Sequence, residues 1–114
     1  MSYSILEGIR RGCNVDQESD DFDEELIPIA NSVFSELTEL KVGPEEGFTI
    51  GSTLEVWEDY CTDKVLLCFV KQFVYKSVRL SFDPPASSTI LEAMKNEIQK
   101  LEWKIIDHLE RQNG

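Results

Sequence analysis

The stretch Lys64–Phe82, KVLLCFVKQFVYKSVRLSF, decides the fold. Its apolar residues occupy much of the circumference of a helix, although its many β-branched and aromatic side chains would also suit a strand. The absence of any turn signal over this length favours a helix. A helix that is apolar on most sides is usually the central one of a small bundle, so the stretch predicts an all-α fold.

The residues on either side of this stretch define its ends. Thr62 or Asp63 supplies an N-cap. Asp83-Pro84-Pro85 stops the helix, because each proline lacks a backbone donor and forces the residue before it into extended geometry. Thr89 then opens a capping box, which predicts a long last helix over residues 89–112.

The last helix carries a narrow apolar seam with steps of three and four residues. Its members are Leu91, Met94, Ile98, Leu101, Ile105 and Leu109. A stripe of this width is typical of a coiled coil rather than of a broad core face. The pattern leaves open whether the seam packs inside the molecule or pairs with a second chain.

Upstream of the central helix, the pattern predicts two more helices separated by an acidic linker. Residues 4–11 form a short helix that Gly12 stops. Residues 14–21 contain almost no apolar side chain and form the linker. Residues 22–40 repeat apolar side chains at helical spacing, and Pro28 distorts the helix there.

The region between the second helix and the central stretch is a loop with helix breakers. Residues 41–53 contain Gly43-Pro44 and two further glycines. Phe48 and Ile50 alternate with polar residues and predict a short extended segment. Ser52 then opens a capping box, so residues 54–60 form a brief helix. The sequence thus predicts a small bundle of four or five helices with a long C-terminal helix.

The charge is strongly acidic and unevenly distributed. A length of 114 residues fits one domain over residues 1–114. The chain carries 22 Asp and Glu against 11 Lys and Arg, a net charge of −11. This excess of acids argues against a surface that binds nucleic acid phosphates. Residues 1–59 hold 15 acids and 3 bases, whereas residues 60–114 hold 7 and 8. The two halves therefore face different surroundings, or each other across a subunit contact. For the acidic block, residues 16–25, a solvated loop and helix start is the simpler interpretation.

No metal or cofactor site emerges from the sequence. The acidic block superficially resembles an EF-hand loop, but Asp21 stands where the loop needs glycine and Ile27 where it needs a bidentate glutamate, so only weak, nonspecific cation binding stays open. Cys13, Cys61 and Cys68 lack the close spacing of a structural zinc site. Cysteines so spaced indicate a reducing cytosol.

Catalytic chemistry is also absent from the pattern. His108 is the single histidine, and it lies between Asp107 and Glu110 near a helix end, where a solvated side chain is typical. No phosphate-binding glycine motif is present. We therefore predict that the chain is not an enzyme. Trp57 and Trp103 have two open interpretations, as half-buried core aromatics or as interface anchors.

The sequence predicts a soluble intracellular protein. Residues 1–6 lack the basic region and apolar core of a secretion signal. The apolar run in residues 65–74 is interrupted by Lys71 and Gln72 and is too short to span a bilayer.

Several motifs resemble one family. Residues 74–88, VYKSVRLSFDPPASS, lead into LEAM at 91–94 and LEWK at 101–104. The first half carries FDEELI at 22–27, NSVF at 31–34, VGP at 42–44 and ILEGIR at 5–10. In this order, and above all through FDPP and the downstream Glu-Trp, the chain resembles the head–tail connector (neck adaptor) proteins of long-tailed bacteriophages and prophages. Lys104 stands where the family pattern has Arg.

The resemblance implies a function in assembly. Copies form a homo-oligomeric, dodecameric ring under the portal protein, in the neck of a virion built in the host bacterial cytoplasm. The ring extends the DNA channel and offers a surface to the tail or to a stopper protein. DNA passes without sequence-specific binding, and no membrane or cofactor is involved.

Contact sites follow as expectations from this family role. The portal contacts fall on a docking tail, residues 106–114, through Ile106, Leu109 and Arg111. Ring or tail contacts fall on loop 41–53, through three further residues, Pro44, Phe48 and Ile50. The alternative function is a soluble regulatory or scaffolding module, without enzymatic activity, that forms a coiled coil through the seam.

Overall fold

The computed structural model describes residues 4–113 and contains five helices. These are α1 (Ile5–Gly12), α2 (Asp23–Glu39), α3 (Trp57–Tyr60), α4 (Lys64–Phe82) and α5 (Ser88–Asn113). Within residues 4–113 the only β pairing is an isolated antiparallel bridge between Ser4 and Val56. The all-α prediction is confirmed. Residues 1–3, which belong to the secretion argument, and Gly114 of the docking tail lie outside the described residues.

The predicted central helix is confirmed with its bounds. Helix α4 packs against α1, α2 and α5. Asp63 is its N-cap and accepts hydrogen bonds from the backbone N–H groups of Val65 and Leu66, both at 3.1 Å. One side of α4 remains exposed, at Cys68 and Gln72 among others. The helix therefore contacts the core on one side rather than all around.

The ends of α1 and α2 differ from the sequence pattern by one residue or so. Ser4 caps α1 through its hydroxyl, which accepts from the Glu7 N–H at 2.9 Å. Gly12 is the last helical residue rather than the stop, and Asn14 makes the left-handed turn with φ of 61°. Asparagine tolerates this conformation because its short polar side chain bonds locally. Pro28 lies inside α2, which continues to Glu39.

The brief helix begins later than predicted, at Trp57 instead of residue 54. The capping contact does form, since a carboxylate oxygen of Glu55 accepts from the Ser52 N–H at 3.1 Å, but it closes a turn ahead of the helix. The extended segment is not a strand. Instead, the Asn31 amide accepts from the Ile50 N–H at 2.8 Å and donates to the Ile50 carbonyl at 3.0 Å, which ties the loop to α2.

An aromatic cluster joins the loop, α3 and α2. We use this name for the five residues Phe34, Phe48, Trp57, Tyr60 and Tyr75. The Phe34 ring lies 5.1 Å from Phe48, 5.9 Å from Trp57 and 5.3 Å from Tyr60. The Trp57 indole donates to the Tyr75 hydroxyl at 2.9 Å. These side chains connect three elements to α4, so the cluster is the centre of the tertiary structure.

Two glycines make room for this cluster. A Cβ on Gly43 would lie 2.6 Å from the Tyr60 ring, and its φ of +78° is a conformation that glycine adopts without strain. A Cβ on Gly8 would overlap the Tyr75 hydroxyl. Close approach of the backbone to an aromatic ring therefore requires glycine at both positions.

The apolar seam of α5 packs inside the molecule. Leu101 is 6% exposed and Ile105 is fully buried, and α5 makes its main contacts with α4. A regulatory module that pairs through the seam would have to detach α5 from α4. The N-terminal half of α5 is less covered, because Ile90 is 54% exposed. Lys76 and Glu97 connect this half to α4 through an exposed ion pair at 2.8 Å.

Candidate functional site

The two tryptophans have opposite environments. Trp57 is 2% exposed within the aromatic cluster, whereas Trp103 is 69% exposed on α5. Trp103 borders a shallow recess with Asn96, Gln99 and Lys100, all on the same helix. A large exposed aromatic beside two amides and one lysine is a candidate interface anchor, because tryptophan is enriched at binding hot spots. Trp57 is therefore a core aromatic, whereas the interpretation of Trp103 as an interface anchor stays a prediction.

A groove runs along the exposed side of α4, between α1 and the start of α5. We call it the α4–α5 groove, and it has a volume of about 470 Å³. Its lining combines apolar and basic side chains with two neutral residues: Gly12, Gln72, Tyr75, Lys76, Arg79, Ile90 and Met94. The buried Nε of Arg79 has no hydrogen-bond partner within the described part of the chain. The groove therefore offers both an apolar surface and an unused donor.

The helices that form the bundle carry opposite charges. Helix α2 contains five acidic residues and no base, whereas α4 contains four bases and no acid. Gln72 and Arg79 lie on the opposite side of α4 from the buried Val70 and Val74, given 3.6 residues per turn. The groove is therefore on the side of α4 away from the core that α4 shares with α2.

The acidic block is anchored by a buried arginine. Arg10 is 4% exposed, and its guanidinium donates to the two carboxylate oxygens of Asp23 at 2.6 and 3.0 Å and to the Gln17 carbonyl at 2.8 Å. The hydrogen bonds that Arg10 donates to the Asp23 carboxylate raise the pKa of Arg10. The rest of the block is mostly exposed, and among residues 4–113 no group of three His, Cys, Asp or Glu side chains converges as metal ligands would.

The C-terminal end of α5 is tied to the start of α4 through Asp63. One Asp63 oxygen lies 2.8 Å from the His108 Nε2 and accepts from the Gln112 amide at 2.8 Å. Hydrogen bonds from His108, from the Leu66 N–H and from Gln112 lower the pKa of Asp63 to about 2. The prediction that His108 is solvated is wrong, because a carboxylate distant in sequence reaches it. Its ring also faces Phe69, with centroids 6.4 Å apart.

The structure places the expected portal contacts at one end of the molecule. Ile106 and Leu109 line a recess of about 230 Å³ together with Leu40 and Lys41 from the end of α2. Arg111 is exposed, and its Nε pairs with Asp107 of the same helix at 2.9 Å. The two apolar residues and the arginine therefore share one end of α5.

The expected loop contacts have mixed exposure. Pro44 is partly exposed, Phe48 packs on Phe34, and Ile50 is only 3% exposed. The side chains of Phe48 and Ile50 thus stabilise the loop against the core. The surface that the loop offers to a partner consists of its exposed residues, which include Glu45 and Glu46.

The remaining sequence candidates have ordinary environments. All three cysteines are free, and burial raises the pKa of the Cys13 thiol to about 11, so this thiol stays protonated at neutral pH. Within residues 4–113 no helix is both long and apolar enough to cross a membrane.

The sequence did not reveal the α4–α5 groove. Ile90 precedes the seam by one residue and has no periodic signal of its own. Arg79 is one of four bases on α4, and nothing in the sequence distinguishes it from the others. Only the packing of α1 and α5 on either side of α4 identifies Ile90 and Arg79 as lining residues of one groove.

Comparison with known proteins gives one match. A family model described as phage connector protein matches residues 5–112, nearly the whole chain. Searches of curated proteins and of solved structures gave no match.

Proposed function

The chain belongs to the phage connector protein family, and on this premise we propose that it forms the adaptor ring in the neck of the virion, between the portal and the tail. Family membership makes it a structural component of a phage particle. The ring, its dodecameric copy number, its neck location and its contacts with portal and stopper are the proposal.

The observation that supports this proposal best is the separation of charge between helices. An acidic α2 and a basic α4 belong to the same small bundle, and the basic groove lies on the side of α4 away from the shared core. Each interface in a closed ring of more than two copies is heterologous, so one face must complement a different face of the next copy. A subunit with two oppositely charged surfaces meets that requirement.

Contacts with the portal are proposed at the C-terminal end of α5. Ile106 and Leu109 supply apolar surface there, and Arg111 adds an exposed guanidinium. Contacts with the tail or the next ring layer are proposed on loop 41–53, near Pro44. The excess of carboxylates on the chain also suits a DNA channel, because an acidic wall repels phosphates and lets DNA slide.

The test is reconstitution with purified portal rings, imaged by electron microscopy. We expect an additional ring layer on the portal that contains this chain. If no layer appears at any tested ratio or salt concentration, the adaptor proposal is wrong.

The portal contacts can be tested without disturbing the fold. Deleting residues 106–114 would remove His108 and Leu109, which pack against α4 and the core. The double variant Ile106→Asp, Arg111→Glu keeps His108 and Leu109, so it is a better test than the deletion. We expect full heads that lack tails when it replaces the natural chain, and normal particles with the matched variant Lys95→Glu at an exposed position of α5. Normal particles with both variants would place the portal contact elsewhere.

A further inference from the structure

The α4–α5 groove has the properties of a site that a single chain leaves unfilled. Ile90 is 54% exposed at its edge, and Met94 and Tyr75 extend the apolar surface inward. The Arg79 Nε is shielded from solvent without an acceptor, a situation that costs free energy unless a partner supplies one. The groove therefore fits an occupant with apolar surface and at least one acceptor.

The charge of the groove defines that occupant further. Its lining includes Arg79 and Lys76 but no acidic residue, and Lys76 pairs with Glu97 at 2.8 Å, so Arg79 is the main charge for an occupant. Burial raises the pKa of the Tyr75 hydroxyl, and the hydrogen bond with Trp57 and the nearby charge of Arg11 oppose this only in part. Cations around an apolar floor fit a segment in which carboxylates flank a large apolar side chain.

This chain contains such a segment at the start of α2. Phe22 is 42% exposed, and it is followed by the exposed carboxylates of Glu24 and Glu25. In its own subunit the segment is held by Arg10, through Asp23, and by the Phe82 ring, 5.6 Å from Phe22. None of these contacts is with a residue that lines the groove. The segment is therefore held outside the groove of its own subunit.

The two surfaces lie close to the end of α1. Gly12 at the end of α1 lines the groove, and Arg10 in the last turn of α1 binds Asp23 at the start of α2. Both surfaces are thus at the same end of the bundle. Contacting surfaces in a closed ring must lie at the same height along the ring axis and must differ from each other.

We propose that the α4–α5 groove of one copy binds the start of α2, residues 22–25, of the neighbouring copy. Phe22 contacts the apolar floor near Ile90 and Met94, and Glu24 or Glu25 accepts hydrogen bonds from Arg79. This inference rests on the proposed ring and specifies which surfaces form its subunit contact.

The experiment is a charge swap within one chain, read out as ring formation on portal by electron microscopy and sedimentation. Arg79→Glu alone and the pair Glu24→Lys, Glu25→Lys alone should each weaken ring formation at least tenfold. Since all copies are identical, combining the three changes places opposite charges together again and should restore rings. Circular dichroism of each variant checks that it folds.

A second variant tests the groove contact independently, in case Arg79→Glu does not fold. Ile90→Glu alters an exposed side chain at the groove edge, whereas Thr89→Glu alters its exposed neighbour. We expect Ile90→Glu to prevent rings and Thr89→Glu to form them normally.

The outcomes separate the two proposals. If the natural chain forms no ring on portal, the proposed function is wrong. If the natural chain forms rings and both Arg79→Glu and Ile90→Glu do so equally well, only the groove contact is wrong. If the groove variants form rings but lose binding to double-stranded DNA, the groove contacts DNA, and the proposed subunit contact is overturned.

Discussion

The aromatic cluster and the α4–α5 groove are two regions of one small protein with opposite organisation. In the cluster, Phe34 is fully buried among three other rings, and Trp57 donates to Tyr75. In the groove, Ile90 is half exposed and the Arg79 Nε lacks an acceptor. Tyr75 belongs to both regions. The cluster uses nearly all of its surface inside the chain, whereas the groove leaves surface for another molecule.

The difference shows how a chain of this size can fold alone and still assemble. Burial of large aromatics supplies stability at one place, so the opposite side of α4 need not contribute to the core. Variants in the cluster should therefore change the free energy of unfolding, and variants in the exposed regions should change assembly. The predictions below test this division from the largest expected effect to the smallest.

The two tryptophans give the sharpest test. Trp57→Ala removes a buried ring and a hydrogen bond, so we expect a loss of about 3–5 kcal/mol in the free energy of unfolding. Trp103→Ala truncates a side chain that is 69% exposed, and the expected change is within about 0.5 kcal/mol. Urea unfolding of both variants measures this. Equal losses of unfolding free energy in the two variants would contradict the separation between a stabilising cluster and an exposed surface for assembly.

The ion pair between Arg10 and Asp23 should have the next largest effect on the free energy of unfolding. Asp23→Asn leaves the buried Arg10 without its counter-charge, and we expect a loss of roughly 2–4 kcal/mol, somewhat below the range for fully buried pairs. The matched variant Asp21→Asn removes an exposed carboxylate from the same block and should change stability by less than about 0.5 kcal/mol. A similar loss in both would mean that net charge, rather than the Arg10 contact, determines stability here.

Two glycines of α1 differ in their distance from Tyr75. An alanine at residue 8 would overlap the Tyr75 hydroxyl, which Trp57 holds in place, so Gly8→Ala should destabilise by about 1–3 kcal/mol. A Cβ on Gly12 would lie 3.5 Å from the Tyr75 Cβ, so Gly12→Ala should be neutral or stabilising by up to about 1 kcal/mol. Thermal unfolding of both variants distinguishes them. A stabilised Gly8→Ala would show that the cluster rearranges easily.

The smallest expected effect is at Asp63, and it depends on pH. Its folded-state pKa of about 2 is below the ordinary value of about 3.9, so the stabilisation from its charge is complete above about pH 5 and is lost as the pH falls through 2. Asp63→Asn keeps an N-cap oxygen but removes this charge. Its melting temperature should be lower than that of the natural chain at pH 5, and the difference should shrink steadily as the pH falls to 2. A constant difference down to pH 2 would attribute the effect to neutral hydrogen bonds.

Local patterns predicted most of the helices because the signals act over a few residues. The bounds of α4 follow from Asp63 before it and Asp83-Pro84-Pro85 after it, and the structure has the same bounds. The start of α3 was wrong because the Ser52–Glu55 contact has the spacing of a cap but closes a turn. A short contact of this kind stabilises either structure. Helix α3 begins at Trp57, where an Asp59 carboxylate oxygen accepts from the Val56 N–H at 3.1 Å and the Trp57 ring packs on Phe34.

The sequence by itself determined the helical class, the long C-terminal helix, the uneven charge and the family, since each is encoded in periodicity, caps, prolines, composition or motif order. Only the tertiary structure decided which tryptophan is buried, that the α5 seam packs on α4, that His108 meets Asp63, and that a groove lies between α1 and α5. These properties depend on contacts between residues far apart in the chain. Identical side chains such as Trp57 and Trp103 carry no local signal of which neighbours the fold will bring to them.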